Sequence, residues 1–142
     1  MSKPLTVTVL DTSAWLTLIE DETGADTVQA LLEQAQVGEV VLLTSFMSYM
    51  EVYYITLQER DVDEARERID LMAALPVQRI ESSRAIAVIS AEMKARYRLS
   101  VADAWIAALA QSYEAVLLHK DPEFEQIAGV VETLALPYKT LR

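Results

Sequence analysis

The chain has 142 residues, 52% of them apolar, and a formal net charge of −10. This length and apolar fraction are typical of one folded domain with a buried core, and the charge argues against a broad basic face for nucleic acid. The absence of cysteine excludes disulfides, thiolate zinc sites and cysteine nucleophiles. No apolar run is long enough for a membrane span or a signal peptide, so we expect a cytoplasmic protein without membrane attachment.

Predicted strands alternate with predicted helices along the whole chain. Short apolar runs predict strands at 5–10, 40–43, 77–80, 115–118 and 130–134. Helical spacing and capping residues predict helices at 12–19, at 24–36, from 44 or 45 to about 58, after the polar break 60–63 as far as Pro76, from 82 or 83 to about 97, from 100 to about 112, and a short turn at 122–126. This alternation indicates an α/β fold, a three-layer α/β/α sandwich with a central, mostly parallel sheet. Active sites in such sheets lie at the carboxyl ends of the strands.

Four carboxylates occupy positions that an ordinary surface does not explain: Asp11, Glu51, Asp103 and Asp121. Asp11 directly follows the first predicted strand, and Asp121 comes shortly after the fourth. Asp103 is the only polar side chain in the stretch 101–110, and Glu51 lies among apolar side chains on a predicted helix. Burying a lone carboxylate is costly, so these positions favour a function.

A divalent cation would explain how four such acids can share one site. Two carboxylates about 4 Å apart repel each other by roughly 4 kcal/mol at an effective dielectric near 20. A bound cation removes that repulsion, and a site with oxygen ligands alone favours Mg²⁺ or Mn²⁺ over zinc or copper.

Each acid also has a purely structural explanation. Asp11 can be the N-cap of the next helix, and Asp121, which precedes a proline, can begin a short helix. Asp103 stands three residues after Ser100, as in a capping box, and Glu51 can face solvent. The combination nevertheless favours function, and phosphodiester hydrolysis is the natural chemistry of a hard dication in an acidic site.

Four segments resemble, in order and in spacing, the motifs of the PIN domain family: VTVLDTSA at 7–14, SYMEV at 48–52, LSVADAWIA at 99–107 and LLHKDPEF at 117–124. The resemblance covers nearly the whole chain and implies a single PIN-like, Rossmann-like domain at 1–142. Small proteins of this kind are often the VapC-type toxins of type II toxin–antitoxin pairs. The resemblance therefore implies a Mg²⁺- or Mn²⁺-dependent endoribonuclease that cuts structured RNA such as tRNA or ribosomal RNA. It also implies a homodimer, inhibited by a cognate antitoxin that inserts into the acidic cleft.

The same resemblance implies roles for individual residues. Asp11, Glu51, Asp103 and Asp121 would be the catalytic residues and the metal ligands, directly or through water. Ser13 would orient metal water or a phosphate.

One position departs from the family pattern. The family often has threonine or serine two residues before the fourth acid, where this chain has His119. We expect His119 to be a partly exposed histidine at a strand end.

Basic residues near the predicted site have two interpretations. Lys94, Arg96 and Arg98 would bind RNA phosphates, or they would favour the end of a helix through its dipole. Lys120 would steady a phosphate at the metal or merely face solvent. Glu123 and Glu125 could extend the acidic cluster, but a glutamate in the first turn of a helix needs no special role.

Two other functions compete with the nuclease. One is a receiver-like or phosphatase-like protein that forms a phospho-aspartate, although such sites usually carry a second acid close to the first strand, and here none follows Asp11 until Glu20. The other is a PIN-like module that binds protein or RNA without cutting, which would gain little from an acidic cluster.

Overall fold

The computed structural model describes residues 4–139 as one α/β unit. Its strands are β1 (Val7–Leu10), β2 (Val41–Ser45), β3 (Gln78–Ile80), β4 (Val116–His119) and β5 (Thr133–Ala135). Its helices are α1 (Thr12–Ile19), α2 (Ala25–Gln36), α3 (Phe46–Glu59), α4 (Val62–Ala74), α5 (Arg84–Arg96) and α6 (Val101–Ser112), followed by a 3₁₀ helix at Pro122–Ile127. No helix in this part of the chain is long and apolar enough to cross a membrane.

The five strands form one sheet in the order β3-β2-β1-β4-β5, and every neighbouring pair is parallel. One face packs against α1 to α4 around Trp15 and Met72. The other face packs against α5, α6 and the 3₁₀ helix around Ile106 and Phe124. The three-layer α/β/α architecture predicted from the sequence is therefore confirmed.

Several element boundaries differ from the predictions, most clearly at β5. This strand was predicted at 130–134 but begins at Thr133, because the N–H groups of Val130 and Val131 both turn back to Ile127 O at 2.9 Å. Val131 is buried within that turn rather than on a strand. At the other end of the chain, β1 starts at Val7 and leaves Leu5 about half exposed.

The sheet reverses its direction of winding at β1. The chain runs outward from β1 through β2 to β3, and the other two strands lie on the opposite side, starting with β4 beside β1. This switch point opens a crevice at the carboxyl ends of β1 and β4, where ligands bind in sheets of this kind. The two strand ends are joined because Asp11 N–H donates to Leu118 O at 3.0 Å.

A buried arginine holds α1, α3 and α4 together. Arg68 on α4 donates to Glu20 Oε1 at the end of α1, at 2.8 Å, and to Thr56 Oγ1 on α3, at 3.3 Å. Its side chain is 7% exposed, whereas Arg60, which contacts the same glutamate at 3.2 Å, is 48% exposed. Arg68 thereby fixes the helix that carries Glu51.

We expect Arg68→Ala to lower the free energy of unfolding by about 2 kcal/mol or more, because it leaves Glu20 with only the exposed Arg60 as a partner and removes the donor to Thr56 Oγ1. Arg60→Ala is the matched control and should cost less than about 1 kcal/mol, as exposed ion pairs do. Urea unfolding followed by circular dichroism measures both. Equal losses in the two variants would contradict the role given to Arg68.

Candidate functional site

Asp11 is the most deeply buried acid of the candidate site, with 3% of its surface exposed. It is the N-cap of α1, and its Oδ2 accepts the Ser13 N–H at 3.0 Å and the Ser13 hydroxyl. Ser13 Oγ in turn accepts the Lys120 N–H at 2.8 Å, which connects the ends of β1 and β4 a second time. Among the buried side-chain nitrogens and oxygens of residues 4–139, Asp11 Oδ1 alone has no hydrogen-bond partner.

Three further carboxylates converge near the carboxyl ends of the strands. Asp103, Asp121 and Glu123 each place one oxygen within 4.8 Å of the others. Asp103 lies in the first turn of α6, where its N–H donates to Ser100 Oγ at 3.1 Å. Asp121 is the N-cap of the 3₁₀ helix, and its Oδ1 accepts the Glu123 N–H at 2.9 Å. The helix starts that explain these acids structurally are therefore real, and they bring the acids together.

Glu51 reaches the site from α3 through two hydroxyl groups. Thr12 Oγ1 lies 2.7 Å from Glu51 Oε1 and 2.9 Å from Ser48 Oγ. Thr12 and Ser48 are buried, and Glu51 is half-buried. Because a hydroxyl has one proton, Thr12 donates to the carboxylate while it accepts from Ser48.

The electrostatics of the site reflect burial first and mutual repulsion second. Burial, together with the charges of Asp11, Asp121 and Glu51, raises the pKa of Asp103 to about 7. Burial raises the pKa of Asp11 to about 6, although its bonds from Ser13 pull the other way. Burial also raises the pKa of Glu51, partly offset by the bond from Thr12. The acids therefore act on one another, as expected for a shared site.

The donor set fits a hard divalent cation. None of the ion pairs within residues 4–139 includes Asp11, Glu51, Asp103, Asp121 or Glu123, so no lysine or arginine neutralises the cluster directly. The available ligands are carboxylate oxygens, and the buried Asp11 Oδ1 has no hydrogen-bond partner within residues 4–139. Beyond the effect of burial, Asp11 lies near enough to Glu51 and Asp121 for their charges to raise its pKa. Such a set suits Mg²⁺ or Mn²⁺.

His119 is not the partly exposed residue that we expected from the sequence. It is 1% exposed, with its ring 5.1 Å from Phe124 and 6.2 Å from Tyr138. Its Nδ1 accepts the Asp121 N–H at 3.1 Å, and burial lowers its pKa. The expectation was wrong because the 3₁₀ helix and the segment after β5 fold over the end of β4.

The Lys120 side chain is directed to the turn after α1. Its ammonium donates to Thr23 O at 2.9 Å and lies 3.7 Å from Glu22 Oε1, with 5% of the side chain exposed. It therefore does not face solvent, and contact with a substrate phosphate would require these bonds to open.

The other basic residues proposed to bind substrate are Lys94 and Arg96, in the last turn of α5, and Arg98, which follows the helix. All three are exposed. Arg98 is joined to the 3₁₀ helix, since its N–H donates to Gln126 Oε1 at 2.9 Å. Arg96 lines a surface cavity with Gln111, which lies at the opposite end of α6 from Asp103. A role in substrate binding for Lys94, Arg96 and Arg98 remains a prediction.

Sequence reasoning gave no role to two residues at this site, Thr12 and Ser48, and it included Glu123 as an extension of the acidic cluster. The structure places one oxygen of Glu123 within 4.8 Å of oxygens of Asp103 and Asp121. Thr12 and Ser48 stand inside the first two motifs, but their contact crosses 36 residues of chain. No local pattern could have paired them.

Comparison with known proteins agrees with the α/β fold. Residues 8–130 match the family model of the PIN domain. Similar structures include VapBC2 from Rickettsia felis bound to a DNA fragment from its promoter, at 14% identity, with 93% of this chain and 100% of that chain covered and a TM-score of 0.76. VapBC-1 from nontypeable Haemophilus influenzae is 22% identical over 92% of this chain and 98% of that chain, with a TM-score of 0.70. VapC20 from Mycobacterium tuberculosis, described as a sarcin–ricin loop cleaving toxin, is 18% identical over 92% of this chain and 99% of that chain, with a TM-score of 0.70. No curated protein sequence matches at a significant level. At these identities the structural likeness concerns the fold.

The raised pKa values of Asp11 and Asp103 predict how stability depends on pH without metal. The pKa of each aspartate is 3.8 in the unfolded chain and rises on folding. Between pH 3.8 and about pH 7, the folded chain therefore binds more protons than the unfolded chain. The melting temperature in EDTA should therefore fall as the pH rises through this window. Mn²⁺ competes with those protons and should raise the melting temperature more at about pH 8 than at about pH 5. Asp103→Asn should flatten the fall, whereas Asp70→Asn, an exposed acid on α4, should leave it unchanged. A wild-type pH dependence in Asp103→Asn would contradict this explanation.

Proposed function

The chain belongs to the PIN domain family, and from that premise we propose that it is a Mg²⁺- or Mn²⁺-dependent endoribonuclease that hydrolyses RNA phosphodiester bonds. The observation that carries the proposal is the convergence of Asp103, Asp121 and Glu123, together with Asp11, whose charge adds to burial in raising the pKa of Asp103 and whose buried Oδ1 has no partner within residues 4–139. Asp11, Glu51, Asp103 and Asp121 are the proposed catalytic residues and metal ligands, and Glu123 is a further ligand candidate.

The residues of the chain prepare the site in a defined way. The hydroxyl and the backbone N–H of Ser13 both donate to Asp11 Oδ2, which leaves Oδ1 to face a cation. Thr12 holds Glu51 Oε1, and the start of the 3₁₀ helix holds Asp121 Oδ1. When bound, the cation would neutralise a phosphate oxygen and lower the pKa of a water molecule, which is the chemistry that phosphodiester hydrolysis needs.

We propose structured RNA, such as tRNA or ribosomal RNA, as the substrate. The description of VapC20 as a toxin that cleaves the sarcin–ricin loop supports an RNA substrate for this fold. Ser13, Lys94, Arg96, Arg98 and Lys120 remain the candidates for substrate binding. An overall charge of −10 makes a broad electrostatic grip unfavourable, so recognition would depend on the cation and on local contacts.

We also propose that the protein is the toxin of a type II toxin–antitoxin pair and forms a homodimer. Two of the similar structures contain VapBC pairs, which supports a protein antitoxin as partner. Met50, Tyr54 and Leu57 form an exposed apolar stripe on α3, at helical spacing and on the same helix as Glu51. A partner that covers this stripe and inserts a positively charged side chain into the acidic cleft would block the site.

The proposed activity is tested with purified protein and labelled total RNA. We expect cleavage with Mn²⁺ that leaves 5′-phosphate ends, no cleavage in EDTA, and a loss of at least about a hundredfold in Asp103→Asn. Asp70→Asn changes the net charge equally and should cleave like the wild type. Undiminished cleavage in EDTA or in Asp103→Asn would refute the mechanism. Binding of RNA without cleavage would favour the non-catalytic module.

The proposed partner is tested by co-expression with the product of the adjacent reading frame. We expect the two proteins to purify together and the complex to cleave RNA much more slowly than the free chain, since an antitoxin occupies the acidic cleft. The control is the same complex after partial proteolysis of the partner, which should regain activity. Full activity in an intact complex would argue against an antitoxin.

A further inference from the structure

Every backbone N–H in the segment 120–124, which carries Asp121 and Glu123, donates a hydrogen bond. Lys120 N–H donates to Ser13 Oγ at 2.8 Å, and Asp121 N–H donates to His119 Nδ1 at 3.1 Å. Glu123 N–H donates to Asp121 Oδ1 at 2.9 Å, and Phe124 N–H donates to Asp121 O at 3.1 Å. Residue 122 is a proline and has no N–H. The positions of both carboxylates therefore depend on a short chain of bonds that begins at His119.

The His119 ring is itself fixed in place. Its backbone oxygen accepts Leu136 N–H, directly after β5, at 2.7 Å, and its ring is buried and packs against Phe124 and Tyr138. Nδ1 can accept the Asp121 N–H only when the ring proton is on Nε2. The ring is thus committed as an acceptor and is not an additional metal ligand through Nδ1.

We propose that His119 is a positioning residue that holds Asp121, and through it Glu123, in the geometry that binds the cation. This inference rests on the proposed metal site but concerns a residue outside the ligand set. Asp121 has an extended backbone, as a residue before proline requires, so the remaining freedom of the segment is rotation of the 120–121 peptide. The bond to Nδ1 removes that freedom. Its loss would leave the Asp121 N–H unpaired and would let the carboxylate leave its place beside Asp103.

Three substitutions at His119 distinguish the effect of the hydrogen-bond acceptor from the effect of the aromatic ring. Asn carries its carbonyl oxygen at the position of Nδ1, Gln carries it one bond farther out, and Leu has the size of Asn without an acceptor. We expect Asn to bind Mn²⁺ nearly as tightly as the wild type in calorimetry. Leu and Gln should bind about tenfold more weakly or worse, as is typical when a group that orients a metal ligand is removed. Ile127→Val controls for a change in core packing, because Ile127 is fully buried in the same core cluster as Phe124 and the substitution keeps the His119 ring, its acceptor and its aromatic neighbours. This variant should retain Mn²⁺ affinity.

A second measurement does not require metal. Hydrogen exchange of the Asp121 amide in metal-free protein should be slow in the wild type and in His119→Asn, and faster in His119→Leu. Equal Mn²⁺ affinities of the Asn and Leu variants, or equal exchange rates, would overturn the inference. If the wild type itself binds no Mn²⁺, the proposed function fails, and the amide exchange still decides whether His119 holds Asp121.

Discussion

Repulsion between carboxylates at one sheet edge is the constraint on which the site depends. Asp11 and Asp103 both resist ionisation, since burial and neighbouring acids raise their pKa values to about 6 and about 7. A folded chain that gathers such groups loses stability at neutral pH unless a positive charge joins them. The switch point between β1 and β4 enforces this gathering, because the backbone of Asp11 is bonded to Leu118 and cannot move away from β4.

The distribution of basic side chains shows that residues 4–139 do not neutralise the acidic cluster themselves. Arg68 pairs with Glu20, Lys120 with Glu22, and Arg79 with Glu81. Lys120 is the informative case, because its backbone N–H contacts Ser13 at the site while its ammonium donates to Thr23 O in the turn after α1. A lysine so close in sequence to Asp121 could have balanced the acids, and its orientation leaves that role to an external ion.

The sequence predicted most of the helices and strands, and it singled out the four acids as candidate site residues, because both inferences depend on local patterns. Apolar runs identify β1, β2 and β4, and Ser45, Ser83 and Ser100 cap helices within a few residues of the predicted starts. Its failures depend on packing between distant segments. The burial of His119 depends on Phe124 and Tyr138, and the bond of Thr12 to Ser48 depends on how α3 lies against α1. Strand β5 was misplaced because Val131 is buried in a turn, and an apolar pattern reports burial but not backbone geometry.

The structural and functional explanations of these acids are parts of one arrangement. A capping carboxylate gives one oxygen to a helix N–H, as Asp11 Oδ2 and Asp121 Oδ1 do, and its other oxygen remains for a ligand. Helix starts also favour negative charge, so α1 and α6 stabilise Asp11 and Asp103 by about 0.3–1 kcal/mol each. One pair of carboxylates at about 4 Å repels by roughly 4 kcal/mol, which is several times larger. Helix caps can therefore place the acids and ease their ionisation, but they cannot offset the repulsion between them. This remaining repulsion is the physical basis of the dication that we propose.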